Sequence, residues 1–517
     1  MLVNSKVQKT LLTVNIKTTE VTGHITERIA HELAQIFSHE YDDGNVIRLF
    51  SLPSRNQANK MLFYSGLLPD VVAAMERHGL TVEVDDRRPT VDFDMDYISE
   101  KIMAVNKATM QREKPFKLRA DQIETIHELL ENCHGSVQCA TGYGKTIVIA
   151  ALASIYNRRT LILVDSIELM NQGYEEMLDV LPYGEVGRVG AGIYDPKKFT
   201  VGIIDTVINK PEVYKDAEYI IVDEAHMAAA RTFRQVILSS NAYIRHGFTG
   251  TYTRTMKDEI KILKAVTGPK LFEITCSELI DNGALSRPYI TLVKMPKPET
   301  NMRFPSNLRG DMAAKARLTR YLIVNNCARN NVACRFAYHH YQKDRKILIS
   351  VAQIKHGENV KSMLLEDFDC DRGDVVFVSG SSKTKARKAA LEKLENGDIR
   401  ILIATKIFEH GINVPSVDVG INLKGEYTEI GARQTIGRLL RGTTKCWLLD
   451  FIDAGHPSLK AYSIHRASIY NSEPAYRVRI CSPQELLDSS VKYASASQEI
   501  VRKLKSKGRR PRLNIQS

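Results

Sequence analysis

The sequence predicts a large α/β protein in which two tandem parallel-sheet lobes follow a small α+β domain. From about residue 118, short apolar runs alternate with helical stretches, the pattern of parallel strands joined by helical crossovers. The chain has 517 residues, too many for one ordinary domain, and its 43% hydrophobic content is enough for large cores. We expect four segments, with bounds 1–105, 106–285, 286–475 and 476–517.

The first segment carries no phosphate-binding motif. Its apolar patterning predicts helices at 25–37 and 68–78, with strands at 11–16, 45–52 and 80–84. That alternation is typical of a small α+β domain. A polar stretch with a proline at 104–117 predicts a linker to the next segment.

Five strands of the buried type are predicted in each of the two lobes. The first series lies at 136–140, 160–165, 200–204, 219–222 and 245–249. The second lies at 346–351, 374–379, 399–404, 417–423 and 446–450. A joining segment is expected near 270–295.

The composition indicates which kind of partner and which cell compartment to expect for the protein. The 72 basic and 60 acidic residues give a net charge of +12, which favours a polyanionic partner but also fits a generic basic enzyme. The eight cysteines contain no Cys-x-x-Cys pair and predict reduced thiols in a cytoplasmic protein. Neither a signal peptide nor an apolar run long enough for a membrane span is expected.

A glycine-rich loop between a predicted strand and a predicted helix indicates a phosphate-binding site. Such a loop presents backbone N–H groups and the positive end of a helix dipole to phosphate. Lys145 would reach the β- and γ-phosphates of ATP, and the Thr146 hydroxyl would ligate Mg²⁺. Cys139 stands where glycine or alanine is usual. The predicted ATP-binding residues of the loop are Thr141, Gly142, Tyr143, Gly144, Lys145 and Thr146.

Two carboxylates end the predicted strand at 219–222. Asp223 would hold Mg²⁺ through a water molecule, and Glu224 would polarise the water that attacks the γ-phosphate. His226, two residues further on, is a candidate link to the second lobe, although a lone histidine after a strand is more often structural. Asp-Glu pairs also occur in ordinary loops, so the catalytic interpretation of this segment depends on the phosphate-binding loop upstream of it.

A third segment lies far along the chain, at Gln434–Arg441 in the order Gln-x-x-Gly-Arg-x-x-Arg. Arg438 and Arg441 share one face of a predicted helix because they are three residues apart. A guanidinium that reaches the γ-phosphate neutralises charge in the transition state of hydrolysis. Together with Gln434, these arginines are predicted to complete the catalytic set.

These segments and their order resemble the superfamily 2 helicases, and the resemblance covers roughly residues 118–470. It implies two RecA-like lobes and ATP hydrolysis coupled to nucleic-acid movement. The segment around Arg119 and Gln122 resembles the one that reads adenine, with Asp121 where an aromatic residue is common. Gly411 and Asn413 would lie near the nucleotide.

The same resemblance implies contacts to a nucleic-acid backbone and a coupling segment between the two sites. Thr249, Gly250 and Thr251 would relay the ATP state, with Tyr252 in place of the usual proline. The implied backbone contacts are Ser166, Thr206, Ser379, Gly380 and Thr405. Asp165-Ser166 stands where Pro-Thr is usual, so the hydroxyl is kept.

Within the superfamily, the sequence resembles the branch of DNA translocases that includes XPB-like proteins, restriction-enzyme motors and phage recombination helicases. Loose likeness in the first segment extends to the substrate-binding domain of the phage proteins, although a structural α+β domain is the alternative. The resemblance implies an ATP-dependent DNA helicase or branch-migration translocase that is independent of DNA sequence and moves 3′ to 5′. A monomer is favoured over an oligomer. The alternatives are an RNA helicase, the motor of a restriction or remodelling assembly, and a non-catalytic clamp.

The C-terminal segment ends in a basic tail. Seven lysines and arginines with no acid among them lie between Arg502 and Arg512. They predict either a solvated terminus or a non-specific nucleic-acid contact.

Overall fold

The computed structural model describes most of the chain in two compact units. The first unit comprises Met1–Cys139 with Gly144–Glu273, and the second comprises Ala140–Tyr143 with Ile274–Ser517. The four-part division expected from the sequence stays a prediction. The described residues are 9–23, 25–40, 46–53, 60–111, 116–250, 257–298, 304–305, 311–382, 384–405, 417–425, 445–488, 490–497, 501–502 and 504.

The N-terminal part of the first unit is a five-stranded sheet with two helices against it. The strand order is β5-β6-β2-β1-β7, antiparallel except for the parallel pair β1 and β7, and β3 and β4 form a separate antiparallel pair. The elements are β1 Lys9–Val14, β2 Thr18–Gly23, α1 Glu27–Ile36, β3 Ser38–Glu40, β4 Val46–Arg48, β5 Phe50–Ser51, β6 Met61–Tyr64, α2 Leu68–Arg77 and β7 Thr81–Asp86.

A helix occupies part of the stretch predicted as a linker. This helix, α3 (Met95–Thr109), begins at Asp94, whose side chain accepts a hydrogen bond from the backbone of Asp96. It buries Ile98, Ile102 and Val105, spaced as one helical face requires. The linker prediction was therefore wrong for residues 104–109, because this polar stretch completes the helix: Thr109 is buried, and the Asn106 side chain accepts a hydrogen bond from the Leu118 backbone.

The N-terminal sheet and the first lobe share one hydrophobic core. Buried residues of the sheet and its helices, such as Phe63 and Val71, belong to the same cluster as Leu263 and Val266 of helix α10 (Lys257–Thr267). A Cβ on Gly66 would lie 2.1 Å from the backbone oxygen of Lys264, so the two backbones touch at this glycine. The N-terminal part is therefore packed onto the lobe rather than tethered to it.

The first lobe is an eight-stranded sheet in the order β11-β10-β12-β9-β13-β14-β8-β15. The five strands predicted for it are present and parallel, and β10, β11 and β15 extend the sheet. The elements are α4 Ala120–Leu130, β8 His134–Cys139, α5 Lys145–Tyr156, β9 Thr160–Val164, α6 Ile167–Leu178, β10 Val186–Gly190, β11 Ile193–Asp195, β12 Phe199–Ile203, α7 Ile204–Val207, α8 Pro211–Lys215, β13 Tyr219–Asp223, α9 Arg231–Ser239, β14 Ile244–Thr249 and β15 Lys270–Ile274.

The second unit holds another eight-stranded sheet, in the order β18-β19-β17-β20-β21-β16-β22-β23. All its pairs are parallel except β22 with β23. The elements are α11 Cys276–Asp281, β16 Arg287–Met295, α12 Met312–Thr319, α13 Cys327–Tyr341, β17 Ile347–Ser350, α14 Ile354–Glu366, β18 Val375–Val378, α15 Thr384–Asn396, β19 Ile401–Ala404, β20 Val419–Asn422, β21 Lys445–Asp453, α16 Pro457–Tyr470, β22 Arg477–Cys481 and β23 Ala494–Ser495.

The predicted fold class is confirmed: two parallel-sheet α/β lobes follow a small α+β part. The predicted joining segment near 270–295 contains the boundary between the two units, after Glu273, and strands occupy both of its ends. β15 lies at the edge of the first sheet, and β16 lies inside the second sheet between β21 and β22. In the described part of the chain, no helix is long and apolar enough to cross a membrane.

Candidate functional site

The predicted site residues of the first lobe gather at one edge of its sheet. The loop of Lys145 follows β8, Asp223 ends β13, Thr249 ends β14, and Ser166 and Thr206 follow β9 and β12. Because these five strands are parallel neighbours, their carboxyl ends meet at the same edge. Ligands bind at this edge in open α/β sheets.

The phosphate loop has the backbone that such a loop needs. Gly142 and Gly144 have φ values of 89° and 86°, in the left-handed region where glycine is favoured. Gly144 precedes the first residue of α5, Lys145, so the free N–H groups of this helix start directly after the loop. The helix is almost wholly apolar and buried, which fixes its start against the sheet.

Lys145 contacts both carboxylates of the predicted magnesium segment. Its Nζ lies 2.9 Å from Oδ1 of Asp223 and also donates to Oε1 of Glu224. Burial acts to lower the pKa of Lys145, but the two carboxylates outweigh it and raise that pKa above the ordinary value. The loop lysine is thus held as a cation at the end of β13.

Glu224 lies in the left-handed region with φ 56°, an unusual conformation for a residue with a side chain. Burial alone would raise the pKa of its carboxyl group, but Lys145 and His226 lower that pKa below the ordinary value. The backbone N–H of Glu224 donates to Oδ1 of Asp223 at 3.0 Å. Glu224 is therefore ionised at neutral pH, as a proton acceptor must be.

His226 joins the carboxylate to the end of the neighbouring strand. Its Nδ1 lies 3.4 Å from Oε2 of Glu224 and 3.2 Å from Oγ1 of Thr249. Thr249 is fully buried at the end of β14. A contact path therefore runs from Lys145 through Glu224 and His226 to Thr249. Thr249 is the first residue of the predicted coupling segment, and Gly250 follows it.

The predicted adenine-reading segment lies next to the phosphate loop. The Gln122 side chain accepts a hydrogen bond from the backbone of Arg119 at 3.0 Å, and its Nε2 would lie 2.9 Å from a Cβ added to Gly144. Arg119 is paired with Asp121 at 2.8 Å. Asp121, which replaces the common aromatic residue, thus orients Arg119 instead of offering a stacking surface.

Thr146 and Asp223 line one cavity of the first unit together with apolar residues of β9 and α6. A hydroxyl and a single carboxylate suit Mg²⁺, which takes few protein ligands and relies on substrate phosphates for the rest. The donor set therefore fits the predicted metal. Cys139, just before the loop, is inert, since burial raises the pKa of its thiol to about 12.

The predicted backbone contacts form two groups, one in each lobe. In the first, Ser166 caps α6 by accepting a hydrogen bond from the Leu169 backbone at 3.3 Å, and Thr206 lies half-buried in α7. In the second, Ser379 and Gly380 follow β18, and Thr405 follows the adjacent parallel strand β19. Ser379 is largely buried, with its hydroxyl 2.7 Å from that of Ser381, whereas Gly380 is exposed.

Sequence reasoning did not single out Asp165 as a functional residue. Its Oδ1 is buried and has no hydrogen-bond partner within the described ranges, directly beside Ser166. A charged residue after the fully buried strand β9 was a signal available in the sequence.

Several predicted residues lie outside the described part of the chain: Thr251, Gly411, Asn413, Gln434, Arg438, Arg441 and the basic tail beyond Leu504.

Comparisons with known proteins agree with this geometry. Residues 115–254 match the family described as "Type III restriction enzyme, res subunit", and residues 328–443 match the helicase conserved C-terminal domain. The ATP-dependent DNA helicase uvsW of Enterobacteria phage T4 is 24% identical over 83% of this chain and 88% of its own length. The DNA 3′-5′ translocase XPB2 of Sulfurisphaera tokodaii is 23% identical over 66% of this chain and 82% of its own.

The fold has counterparts among solved structures. The crystal structure of the DUF1998 helicase MrfA bound to DNA matches with a TM-score of 0.54 at 15% identity, over 81% of this chain and 59% of that one. At that identity the likeness concerns the fold alone. It agrees with the two parallel-sheet lobes described above.

Proposed function

Because the chain is a superfamily 2 helicase, with a res-subunit domain followed by a helicase C-terminal domain, we propose that it uses ATP to move along DNA and remodel branched DNA. The observation that supports the motor is the contact path from Lys145 through Glu224 and His226 to Thr249. It links the phosphate loop to a strand end on the edge where Ser166 and Thr206 also lie.

In the proposed reaction, ATP phosphates occupy the loop and Lys145 transfers its contact from the carboxylates to the β- and γ-phosphates. Glu224, released from the ammonium, orients a water molecule and accepts its proton as the water oxygen bonds to the γ-phosphorus. The bond from that phosphorus to the β–γ bridging oxygen breaks, and ADP and phosphate leave. Arg438 and Arg441 are proposed to stabilise the charge that develops.

Mg²⁺ would be held by Thr146 and, through water, by Asp223, and it would neutralise phosphate charge. We expect the His226 side chain to shift when Glu224 moves, since the two side chains are in contact. When Glu224 turns toward the nucleotide, the hydrogen bond between His226 and Thr249 is the next to adjust. We propose that this step passes the state of the nucleotide to the coupling segment.

DNA is the proposed track because uvsW is named a DNA helicase and XPB2 a DNA 3′-5′ translocase. Movement is therefore proposed to run 3′ to 5′. Backbone contacts through Ser166, Thr206, Ser379, Gly380 and Thr405 would make it independent of sequence. The N-terminal sheet, packed on the first lobe, is proposed to select forks or junctions.

The test measures ATP hydrolysis and strand separation with equal amounts of single-stranded DNA, a fork, a four-way junction and single-stranded RNA. Junction or fork stimulation above that of single-stranded DNA is expected. Stimulation by RNA alone would favour an RNA helicase. Binding without hydrolysis, unchanged by Lys145→Ala, would indicate a clamp and overturn the proposal. Deleting residues 1–105 is a poor control, because it exposes the shared core.

A further inference from the structure

The second unit carries a row of aromatic and cationic side chains at the opposite edge of its sheet from Ser379 and Thr405. Trp447 and Tyr289 lie side by side near the amino ends of β21 and β16, whereas Ser379 and Thr405 follow carboxyl ends of strands in the same sheet. We name this set the aromatic–basic row and define it by its members: Lys343, Arg345, Trp447, Tyr289, Tyr493 and Arg479.

The rings of the row are in continuous contact. The centroids of Trp447 and Tyr289 are 6.3 Å apart, and those of Tyr289 and Tyr493 are 5.2 Å apart. The Arg345 guanidinium lies 3.6 Å from the Trp447 centroid, and that of Arg479 lies 4.7 Å from Tyr493. Cation–π contacts of this kind fix a cation in place without removing its charge.

The hydrogen-bond partners of these cations are neutral. Lys343 Nζ lies 2.8 Å from Nε2 of His339, and Nη1 of Arg345 lies 2.6 Å from Nδ1 of His340. Lysine and arginine have no acceptor atom, so the imidazole nitrogen must accept in each pair. Burial and then Arg345 lower the pKa of His340 to about 3, so this ring stays neutral.

The hydrogen-bond partners of Arg479 are also uncharged. Its Nε donates to Oγ1 of Thr291 at 3.0 Å, and its Nη2 donates to the backbone oxygen of Leu486 at 2.7 Å. Two acids do face the row electrostatically: Asp418 toward Arg345 and Asp488 toward Arg479. Lys343 and Lys445 are exposed, and Lys445 lies 5.8 Å from the Tyr289 centroid.

A set of cations that served only to hold the fold would be expected to pair with carboxylates. Here imidazoles, a hydroxyl and backbone oxygens orient the cations by hydrogen bonds, whereas Asp418 and Asp488 interact with Arg345 and Arg479 through space. A polyanion gains most from such a surface, because it releases its counterions on binding. Aromatic rings beside cations are typical of surfaces for single strands.

We propose that the aromatic–basic row is a second contact for the phosphates of a nucleic-acid single strand, separate from the strand contacts at Ser379 and Thr405. It rests on the proposed function, because it supposes that the protein handles nucleic acid. Lys343 of the row and the neighbouring Lys445, which lies beside Tyr289, provide the exposed charges, and the rings with Arg345 and Arg479 form the less exposed surface next to them.

Trp447 makes the test direct, because it is the only tryptophan of the chain. The full-length protein is titrated with a thymidine oligonucleotide, and Trp447 fluorescence and affinity are followed over a series of salt concentrations. The fluorescence should change on binding. In Lys343→Ala/Lys445→Ala that change should fall, and the slope of log affinity against log salt should decrease by about 1.4, since each phosphate contact on a single strand contributes about 0.7.

Two further variants make the result specific. Lys343→Arg/Lys445→Arg keeps both charges and should retain the slope. Lys294→Ala/Lys315→Ala removes two exposed lysines elsewhere in the same unit and should behave like the unaltered protein.

An unchanged slope and fluorescence response in Lys343→Ala/Lys445→Ala would overturn the second contact and leave the proposed function standing. A response to polyglutamate but not to the oligonucleotide would assign the row to an acidic protein and overturn the inference too. An unaltered protein that binds no oligonucleotide at all would overturn both proposals.

Discussion

The Nδ1 atom of His226 lies 3.2 Å from Oγ1 of Thr249, so the acidic segment and the next strand of the sheet share a direct side-chain contact. The same nitrogen is 3.4 Å from Glu224. One imidazole therefore touches both the candidate proton acceptor and the first residue of the candidate coupling segment.

Replacing Thr249 by valine should uncouple ATP use from movement. Valine keeps the shape of the side chain but removes the hydroxyl that His226 contacts, and such a contact contributes about 1 kcal/mol. We expect the number of base pairs separated per ATP hydrolysed to fall roughly fivefold, the factor that this free energy corresponds to. Strand separation and phosphate release are measured together.

A buried threonine that is remote from the site provides the control. Thr267 is fully buried in α10, and its hydroxyl donates to the backbone of Leu263. Thr267→Val should lower stability yet leave the coupling ratio unchanged. An equal loss of coupling in both variants would remove the special role of Thr249.

Glu224→Gln should stop hydrolysis while ATP still binds. Glutamine keeps the size of the side chain but is no proton acceptor, and general base catalysis typically contributes about 10²–10⁴ in rate. We expect the turnover number to fall by that range, with nucleotide affinity within severalfold of the unaltered protein. Equilibrium binding of a labelled ATP analogue and single-turnover hydrolysis separate the two effects, and substantial residual turnover would contradict the role.

The ion pair of Lys145 and Glu224 should also affect stability in a pH-dependent way. Glu224 has a pKa below its ordinary value of 4.5 in the folded protein, so its contribution is present above that pH and is lost as the pH falls. Lys145 has a raised pKa, so its contribution is present below 10.5 and is lost only at higher pH. The pair therefore stabilises the fold throughout the interval between those values.

The measurement compares the free energy of unfolding of the unaltered protein with that of Glu224→Gln. Between pH 5 and 9 the difference should stay constant. It should shrink at pH 3. A difference that grows on acidification would mean that the carboxyl group is not stabilised as an anion.

Gly144→Ala should weaken nucleotide binding for two reasons that can be separated. The residue has φ +86°, and its new Cβ would lie 2.9 Å from Nε2 of Gln122. Gly192 has φ +81° with nothing within 4 Å, so Gly192→Ala carries the backbone strain alone, about 1–2 kcal/mol. Of the two glycine variants, we expect only Gly144→Ala to lower ATP affinity. Gln122→Ala should weaken binding by itself, but the further loss caused by Gly144→Ala should be smaller in that background than in the unaltered protein; calorimetric titration provides the affinities.

Gly66→Ala should loosen the N-terminal sheet from the first lobe. Its Cβ would lie 2.1 Å from a backbone oxygen of α10, and backbone cannot move aside as a side chain can. Overpacking of this kind costs about 1–3 kcal/mol. We expect a lower melting temperature and faster proteolysis between the two parts. Gly184→Ala, at a site with nothing within 4 Å, should change neither.

Much of this fold could be predicted from the sequence because the patterns that indicate it lie within short stretches of the chain. The phosphate loop, the carboxylates at the end of β13 and the ten strands predicted for the two lobes each lie in a short stretch with its own pattern. The contact of His226 with Thr249 and the approach of Gln122 to Gly144 depend on tertiary packing, and no local pattern encodes them.

Strand β16 and helix α3 escaped prediction for different reasons. β16 contains Pro288 and a charged end, which disfavour a strand by local rules. It forms because β21 and β22, far along the chain, flank it on both sides. The last turns of helix α3 lie in the polar stretch that was interpreted as a linker, although Val105 and Thr109 are buried there.

The shared core of the N-terminal sheet and the first lobe has a mechanical consequence. Lys264 pairs with Asp70 at 2.7 Å, Lys261 donates to the backbone of Ile36, and apolar side chains fill the space between. A pulling force on the sheet would be borne by packed side chains with little compliance, and would reach the strands that hold Asp223 and Thr249 without first stretching a tether. A load applied to the N-terminal sheet would then be transmitted to the candidate ATP site of the first lobe.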